Sequence, residues 1–162
     1  MLERSRTPRF HGISVLAAVL SLIGLPVLGG CGDDIIEPDP ALAPFVGDWG
    51  GRAMVLTNLA NPAVHPDLIQ EGATFDLNVQ ESGLYTAILV FMGRAAPAEI
   101  GQLSVSGNVL TMKHQHPDTL TAVSTFTFSG DSLLVLDGNT EFDFNLDGTK
   151  EEATLHLELL RK

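Results

Sequence analysis

The sequence predicts an all-β fold, an antiparallel up-and-down barrel of about 8–9 strands. Beyond Phe45, short runs alternate polar and apolar residues with a period of two, and no helical period is sustained. Glycine, asparagine and aspartate separate these runs, as they do at hairpin turns. So many antiparallel strands in a small domain avoid exposed edges most readily by closing into a barrel. A two-sheet β-sandwich has the same strand spacing and stays the alternative.

The first thirty residues have the order of a signal peptide. A basic start precedes an apolar stretch over residues 13–28, and the small residues Gly29 and Gly30 stand before Cys31. The apolar stretch spans about sixteen residues, fewer than the roughly 20 that a transmembrane helix needs. We therefore expect residues 1–30 to be removed after export and not to span a membrane.

The four residues Leu28-Gly29-Gly30-Cys31 resemble the lipobox of bacterial lipoproteins. The resemblance implies that Cys31 is diacylglyceryl-modified, becomes the N-terminus after cleavage and is acylated there, for example with palmitate, so that lipid anchors the protein to a membrane. Gly32, not aspartate, follows the cysteine, which by the same resemblance favours the outer membrane of the cell envelope. Asp33 and Asp34 leave that point open. A free or buried cysteine after an ordinary signal peptide is the alternative to lipidation.

Composition divides the rest of the chain into a tether and one domain. Residues 31–44 are acidic and rich in proline, which is typical of an extended tether, and residues 45–162 have the length of one barrel domain. From Cys31 onward, six basic residues stand against nineteen acidic ones, a formal charge of −13. Such a charge repels phosphate backbones, so we expect no nucleic-acid binding. Because Cys31 is the only cysteine, no intramolecular disulfide can stabilise the domain.

The alternating runs give each predicted strand one apolar face, as Phe75, Leu77 and Val79 show in the first of them. The runs cover residues 74–80, 102–106, 119–128, 141–146 and 154–159, and turn signals stand at 81–83, 106–108, 129–131 and 137–139. The continuously apolar run 85–92 predicts a strand covered on both faces, by a partner chain, the membrane or segment 58–72. Within that segment, residues 66–70 can form one helical turn that closes a barrel end.

The sequence Phe45-Val46-Gly47-Asp48-Trp49 resembles the Gly-x-Trp signature that opens the first strand of lipocalins and other calycin barrels. In that family the tryptophan plugs one end of the barrel, and a basic residue near the last strand packs across it. Arg161 stands at the corresponding end of this chain. The chain departs from the family in lacking a second Thr-Asp-Tyr motif, a cysteine pair and room for a C-terminal helix. The resemblance implies a lipocalin-like barrel with structural roles for Gly47, Trp49 and Arg161, and it names no ligand.

A candidate calcium loop lies near the C-terminus. Oxygen-bearing side chains at its first, third and fifth positions, a glycine at the sixth, a backbone carbonyl at the seventh and an acid at the ninth suit Ca²⁺, and the residues are Asp143, Asn145, Asp147, Gly148, Thr149 and Glu151. The pattern resembles the first three-quarters of an EF-hand loop, but Thr154 replaces the glutamate at the twelfth position. An Asp-Gly pair is also a strong hairpin signal that needs no metal. A structural calcium site and a plain turn both stay open.

Two histidines and the search for enzyme motifs give weaker indications. His114 and His116 share one strand face, but zinc needs three or four ligands and no third is evident, so a solvated strand end before Pro117 is favoured. The chain has no nucleophile elbow, phosphate loop, dinucleotide motif or metalloprotease motif. Glu151 and Glu152 would point to opposite faces of a strand. We expect a protein that is not an enzyme.

Two functions fit these observations. The first is a lipid-anchored cell-envelope module that holds a small apolar ligand in its barrel, since eight strands enclose just enough room for one. The second is a structural or interaction lipoprotein with a filled barrel and a structural calcium loop, for which the sequence names no protein partner. Interior volume separates them, because six bulky rings can fill a small barrel: Phe75, Phe91, Phe126, Phe128, Phe142 and Phe144.

Overall fold

The computed structural model describes residues 39–162, which form one short 3-10 helix and nine strands. The 3-10 helix covers Ala43–Phe45. The strands are β1 (Gly47–Asn58), β2 (Thr74–Val79), β3 (Leu84–Phe91), β4 (Arg94–Ala95), β5 (Glu99–Ser106), β6 (Val109–His116), β7 (Thr121–Ser129), β8 (Leu133–Phe142) and β9 (Glu151–Arg161).

Eight of these strands close into an antiparallel up-and-down barrel. Around the wall they follow the order β1, β2, β3, β5, β6, β7, β8 and β9, and β9 pairs with β1 to complete the ring. The two-residue β4 pairs with the end of β3 as an extra strand outside the ring. The predicted all-β barrel is therefore confirmed, and the β-sandwich alternative is wrong. Closure leaves no strand of the ring at a sheet edge over its whole length.

The two ends of the barrel differ in how the strands are joined. The closed end carries the short turns β2–β3, β5–β6 and β7–β8, together with the start of β1 and the end of β9. The open end carries the four longer connections, over residues 59–73, 92–98, 117–120 and 143–150. These two names are used below.

Three of the four predicted turns are confirmed, at residues 81–83, 106–108 and 129–131, each with a glycine at positive φ. The fourth is wrong, because Asp137-Gly138-Asn139 lies inside β8. There Asp137 and Gly138 pair with Thr125 and Ser124 of β7. A Cβ on Gly138 would lie 2.6 Å from Ser124 Oγ, so the glycine serves close strand approach and not a turn.

Inward side chains fill the closed half of the barrel. Trp49, Tyr85, Phe45, Leu134 and Leu159 are all fully buried there or in the adjoining core. Burying each such side chain contributes about 1.5–3 kcal/mol. Tyr85 and Ala87 of β3 point inward, whereas Ile88 on the outer face is 40% exposed, so the described residues do not cover the outer face of this strand. Cover of that face by a partner chain or the membrane stays a prediction.

Segment 59–73 covers part of the open end. Its buried Leu68 joins the core, and the backbone N–H of Leu68 donates to Met54 O at 2.9 Å. Asp67 Oδ1 accepts backbone hydrogen bonds from Met54 and Ile69, each at 3.0 Å. Burial raises the pKa of Asp67, but these bonds outweigh it and hold the pKa below its ordinary value. The predicted helical turn is an irregular hydrogen-bonded turn that closes this side of the barrel end.

The predicted signal peptide, Cys31 and most of the tether lie outside the described residues. Within residues 39–162, no helix is long and apolar enough to cross a membrane.

Candidate functional site

The closed end is capped by the N-terminal segment and the last strand. Trp49 is fully buried, and its Nε1–H donates to Phe45 O at 2.7 Å. The guanidinium carbon of Arg161 lies 4.2 Å from the centroid of a Trp49 ring, in cation–π geometry. A Cβ on Gly47 would lie 3.1 Å from Arg161 Nη1. The structure thus brings Gly47, Trp49 and Arg161 together.

Arg161 also ties three segments to this cap. Its Nη1 donates to Val46 O at 2.6 Å, its Nη2 to Pro44 O at 2.7 Å and its Nε to Asp131 O at 3.0 Å. The cap is therefore a structural closure of this end of the barrel.

At the open end, the wall of the barrel has a gap between β7 and β8. Pairing between β7 and β8 stops at Ser124 and Gly138. Beyond that point, residues 121–123 of β7 pair only with β6, and residues 139–142 of β8 pair only with β9. The two strands part as they approach the open end, which creates the space described next.

A cleft of about 610 Å³ occupies this split. Its inner wall is formed by His114, Ala122, Thr140 and Ala153, which lie on four neighbouring strands. Carboxylates from Glu99, Glu141 and Glu152 line it as well, together with Lys150 and the apolar Leu59 and Leu120. The arrangement gives one small cleft with an apolar patch and a carboxylate-rich border.

Behind the cleft stands a group of three polar side chains, Glu99, His114 and Tyr85. His114 points inward with its side chain 13% exposed, and its Nδ1 lies 3.9 Å from Glu99 Oε2. The Tyr85 ring meets the His114 ring edge-on at a centroid distance of 6.1 Å. A Cβ on Gly101, opposite Tyr85 in the sheet, would lie 2.9 Å from the Tyr85 hydroxyl oxygen, so only glycine admits the phenol here.

The Tyr85 hydroxyl is the unusual member of the group. Tyr85 is fully buried, and its hydroxyl has no hydrogen-bond partner. Burial, and after it the charge of Glu99, raises the pKa of Tyr85, so the phenol stays protonated. An unpartnered buried hydroxyl costs about 1–3 kcal/mol, and such a group calls for an explanation in terms of a missing partner.

The two histidines of the predicted zinc pair have different surroundings. Strand β6 ends at His116, directly before Pro117, and the His116 side chain is exposed. His114 instead faces the interior. Within residues 39–162, no group of three or more histidine, cysteine, aspartate or glutamate side chains is placed to hold a metal ion.

The candidate calcium loop connects β8 and β9, and its side chains hold the turn together. The two carboxylate oxygens of Asp143 accept from the backbone N–H groups of Asp147, at 3.1 Å, and Gly148, at 2.7 Å. Asp147 Oδ1 accepts from the Thr149 N–H at 2.7 Å, and Glu151 Oε2 accepts from the Phe144 N–H at 3.1 Å.

These hydrogen bonds lower the pKa of one carboxyl group in the loop. The Thr149 N–H, donating to the Asp147 carboxylate, holds the pKa of Asp147 below its ordinary value. Asn145 adds a contact, since its Nδ2 donates to Asp147 Oδ2 at 3.0 Å. The oxygens predicted as calcium ligands are thus already acceptors for backbone N–H groups. The plain turn explains their spacing, and calcium binding stays a prediction.

The outer wall beside the split carries a second groove, of about 500 Å³. Val123, Asn139 and His156 are among its lining residues. The nearby His156 Nδ1 lies 2.7 Å from Asp137 Oδ1, and this hydrogen bond raises the pKa of His156. Glu158 contacts both His156 and Arg52, so these side chains form a surface network across β1, β8 and β9.

Exposed apolar side chains gather at the open end. Each of its four connections presents at least one, and they are Leu59, Val64, Met92, Leu120 and Leu146. Met92 is the most exposed of them, at 68%. The six phenylalanines predicted to fill the interior are all partly buried and pack against the core: Phe75, Phe91, Phe126, Phe128, Phe142 and Phe144.

Sequence reasoning identified His114 but missed Tyr85, Glu99 and Thr140. The signal for Tyr85 would have been its position opposite Gly101, since a large ring facing a glycine across two strands marks a close approach. The positions of Glu99 and Thr140 in the cleft could not be predicted from their local sequence. The two residues come to line the same cleft only when the strands assemble into the barrel.

No protein-family model matches the chain, and no curated protein sequence matches it. The chemistry of the cleft therefore rests on its own residues.

Proposed function

We propose that this protein is a lipid-anchored module of the bacterial cell envelope that binds a small, partly apolar molecule in the open-end cleft. The supporting observation is the cleft of about 610 Å³ between β7 and β8. Ligand pockets typically run from about 300 to 1,000 Å³ and combine apolar walls with a few placed polar groups. Ala122 and Ala153 offer the apolar wall here, and His114 and Thr140 offer polar groups.

The part of the chain that the structure describes begins at the closed end, and the cleft lies at the open end. The chain enters at the closed end, where Leu42 and Phe45 are buried. Lipid on Cys31 would hold that end towards the membrane, which we propose is the outer membrane on the lipobox resemblance. The cleft would then face away from the bilayer and take its ligand from the aqueous side. The Trp49–Arg161 contact supports a proposed relationship to lipocalin-like barrels.

A second candidate is an interaction module, supported by the apolar tips of the open-end connections. Leu59, Met92, Leu120 and Leu146 are exposed at the end that would face away from the anchor. Apolar groups collected on one surface mark protein or membrane contact sites when they form a continuous patch. The filled closed half of the barrel is compatible with this role.

We propose binding without catalysis. In the cleft, His114 Nδ1 and Glu99 Oε2 lie 3.9 Å apart, so these two side chains form no hydrogen bond with each other in this structure.

The cleft is tested by filling it. We expect Ala122→Phe to abolish binding of the neutral apolar dye N-phenyl-1-naphthylamine, because the added ring occupies the space between β7 and β8. Fluorescence titration of the dye against the full chain carrying Cys31→Ser, without detergent, measures this. The matched control is Thr127→Phe, which adds the same ring on the outer face of the same strand.

Dye binding that survives Ala122→Phe, or that is absent from the unsubstituted cleft, would contradict the proposal. Mass spectrometry of the protein purified from membranes tests the remaining part of it, since it detects both an acylated Cys31 and any co-purified small molecule.

A further inference from the structure

The split between β7 and β8 leaves two strand edges without a partner. Residues 139–142 of β8 pair only with β9, and residues 121–123 of β7 pair only with β6. Within residues 39–162, no backbone hydrogen bond from outside these strands reaches either edge. In an antiparallel strand every second residue directs its N–H and C=O to the same neighbour, so each edge presents donors and acceptors to the gap.

The barrel has a second place where neighbouring strands part, and there the chain supplies the missing partner itself. Strand β1 pairs with β2 only over residues 47–50. Farther along β1, the Leu56 N–H donates to Pro66 O at 3.0 Å. The Leu68 N–H donates to Met54 O at 2.9 Å. Backbone from segment 59–73 thus takes the place of β2 along β1, whereas the described residues supply no such segment between β7 and β8.

Both edges at the split are accessible, because no residue of 121–123 or 139–142 is buried. Proteins protect free strand edges with proline, with lysine or by keeping the edge strand very short. Strand β4, at the end of the sheet, has only two residues. The edges at the split are longer, and they contain neither proline nor lysine. Free edges of this kind accept an extended peptide as an added strand.

We propose that the split takes an extended segment of a partner protein, which pairs through its backbone with residues 139–142 of β8. This edge offers four consecutive free residues, against three in β7. The inference goes beyond small-molecule binding, and it specifies the partner of an interaction module. In such complexes the backbone bonds give affinity, and pockets for alternate side chains give specificity.

The two faces of the split define the side chains of the segment, since alternate residues of a strand point to opposite faces. On the inner face, Ala122 and Ala153 line the cleft and leave room for an apolar side chain. On the outer face, Glu141 pairs directly with Glu152 of β9. Within residues 39–162, neither carboxylate has a basic partner within ion-pair distance. Because opposed like charges destabilise a sheet, a basic side chain suits this face, and the segment alternates apolar and basic residues.

The test uses a peptide of about six residues that alternates valine and lysine and carries fluorescein at its N-terminus. Fluorescence polarisation measures its binding to the full chain carrying Cys31→Ser, at low salt. We expect a Kd of about 0.1 mM or below. No binding at a protein concentration of about 1 mM would overturn the proposal.

Two modified peptides test whether the backbone is recognised. One carries N-methyl groups on its valines and the other on its lysines, so each lacks the N–H groups of one strand edge. We expect at least one of the two to bind about ten-fold more weakly than the unmodified peptide. Unchanged binding of both would show that the peptide is held by its side chains alone, and the added strand would be excluded.

Charge reversal locates the peptide on β8. Glu141→Lys should weaken the valine–lysine peptide by about ten-fold and strengthen a valine–glutamate peptide. The matched control is Glu81→Lys, which makes the same change in charge at the turn between β2 and β3, at the closed end. It should change either affinity by no more than about two-fold. Equal effects of the two substitutions would mean that net charge alone attracts the peptide, which contradicts the proposal.

Hydrogen exchange gives a second measure of position. Bound peptide should slow amide exchange within residues 139–142 by about ten-fold or more, because free N–H groups of the edge become hydrogen-bonded. Exchange in β4 should not change. Peptide binding without protection of residues 139–142 would contradict pairing with β8.

The outcomes separate this inference from the small-molecule proposal. If N-phenyl-1-naphthylamine binds and the peptide does not, the partner strand is excluded while the small-molecule proposal stands. If the peptide binds and the dye does not, the small-molecule proposal fails and the partner strand stands. If neither binds, both fail.

Discussion

A single side chain, Arg161, joins three parts of the closed end. Its guanidinium lies over Trp49 and donates to the carbonyls of Pro44, Val46 and Asp131. A planar group with five donors can make these contacts at once, which the ammonium of a lysine cannot. One residue at the end of β9 therefore fixes the 3-10 helix at Ala43–Phe45.

We predict that Arg161→Ala lowers the free energy of unfolding by about 1–3 kcal/mol, because it removes a cation–π contact and three hydrogen bonds in a partly exposed position. Urea denaturation followed by Trp49 fluorescence measures the change. Arg52→Ala is the control, since Arg52 is exposed and forms one surface ion pair with Glu158. Its cost should stay below about 1 kcal/mol. Equal effects of the two substitutions on the free energy of unfolding would contradict the stabilising role of Arg161.

Asp67 gives a prediction about pH. Its pKa lies below the ordinary value in the folded state, so its contribution to stability is complete above the unfolded pKa and is lost as pH falls through the folded one. Asp67→Ala should cost about 1–2 kcal/mol at neutral pH, through loss of the backbone bonds that hold Leu68 in place. The substitution should also make the free energy of unfolding less dependent on pH in acid. Glu71→Gln in the same segment is the control, and a full acid dependence in Asp67→Ala would contradict the assignment.

At the scale of elements, the connection between β8 and β9 is held by its own carboxylates. We predict that Asp143→Ala lowers stability by about 1 kcal/mol even without calcium, because the Gly148 N–H loses its acceptor and the Asp147 N–H keeps only Asn145 Oδ1. Lys150→Ala in the same connection should have little effect. Thermal unfolding with and without millimolar Ca²⁺ decides the remaining question. A rise of several degrees that Asp143→Ala abolishes would show that the loop is a calcium site.

Alternation predicts where strands are, but not how far neighbours stay paired. In β7 half-buried and exposed residues alternate without interruption from Thr121 to Ser129, yet its pairing with β8 stops at Ser124. The alternation shows which face of a strand borders the interior. A strand keeps such a face even where it no longer pairs with its neighbour. The cleft was for this reason invisible in the sequence.

Local composition also led to a wrong turn prediction at Gly138. The Asp-Gly pair is a turn signal when its flanks can fold back on each other, but here the residues before it pair with both β7 and β9, and the residues after it pair with β9. The three correct turns differ because short strands of opposite direction meet at them. The grouping of Tyr85, Glu99 and His114 was beyond prediction as well, since it depends on how β3, β5 and β6 are placed side by side.

At the scale of the whole molecule, the residues just before β1 belong to the fold and not to the tether. Leu42 and Phe45 are buried, and the Phe45 ring lies 4.9 Å from Phe126 and 5.1 Å from Phe128. Leu42 is therefore part of the core although it stands among prolines and acids.

We predict that a chain beginning at Asp39 unfolds at the same urea concentration as one that retains the complete tether. A chain beginning at Gly47 should lose at least about 3 kcal/mol, since it lacks the Phe45 ring and leaves a cavity against Phe126 and Phe128. Equilibrium denaturation of the two chains measures the difference. Identical midpoints would mean that these rings are dispensable.

The first and last strands are neighbours in the wall, and both reach the closed end, where the backbone N–H of Lys162 donates to Asp48 O. A reporter or a surface linker fused after Lys162 would thus sit at the closed end and leave the opposite rim unobstructed. The protein can be immobilised through Lys162 for a ligand screen without blocking the face to be screened.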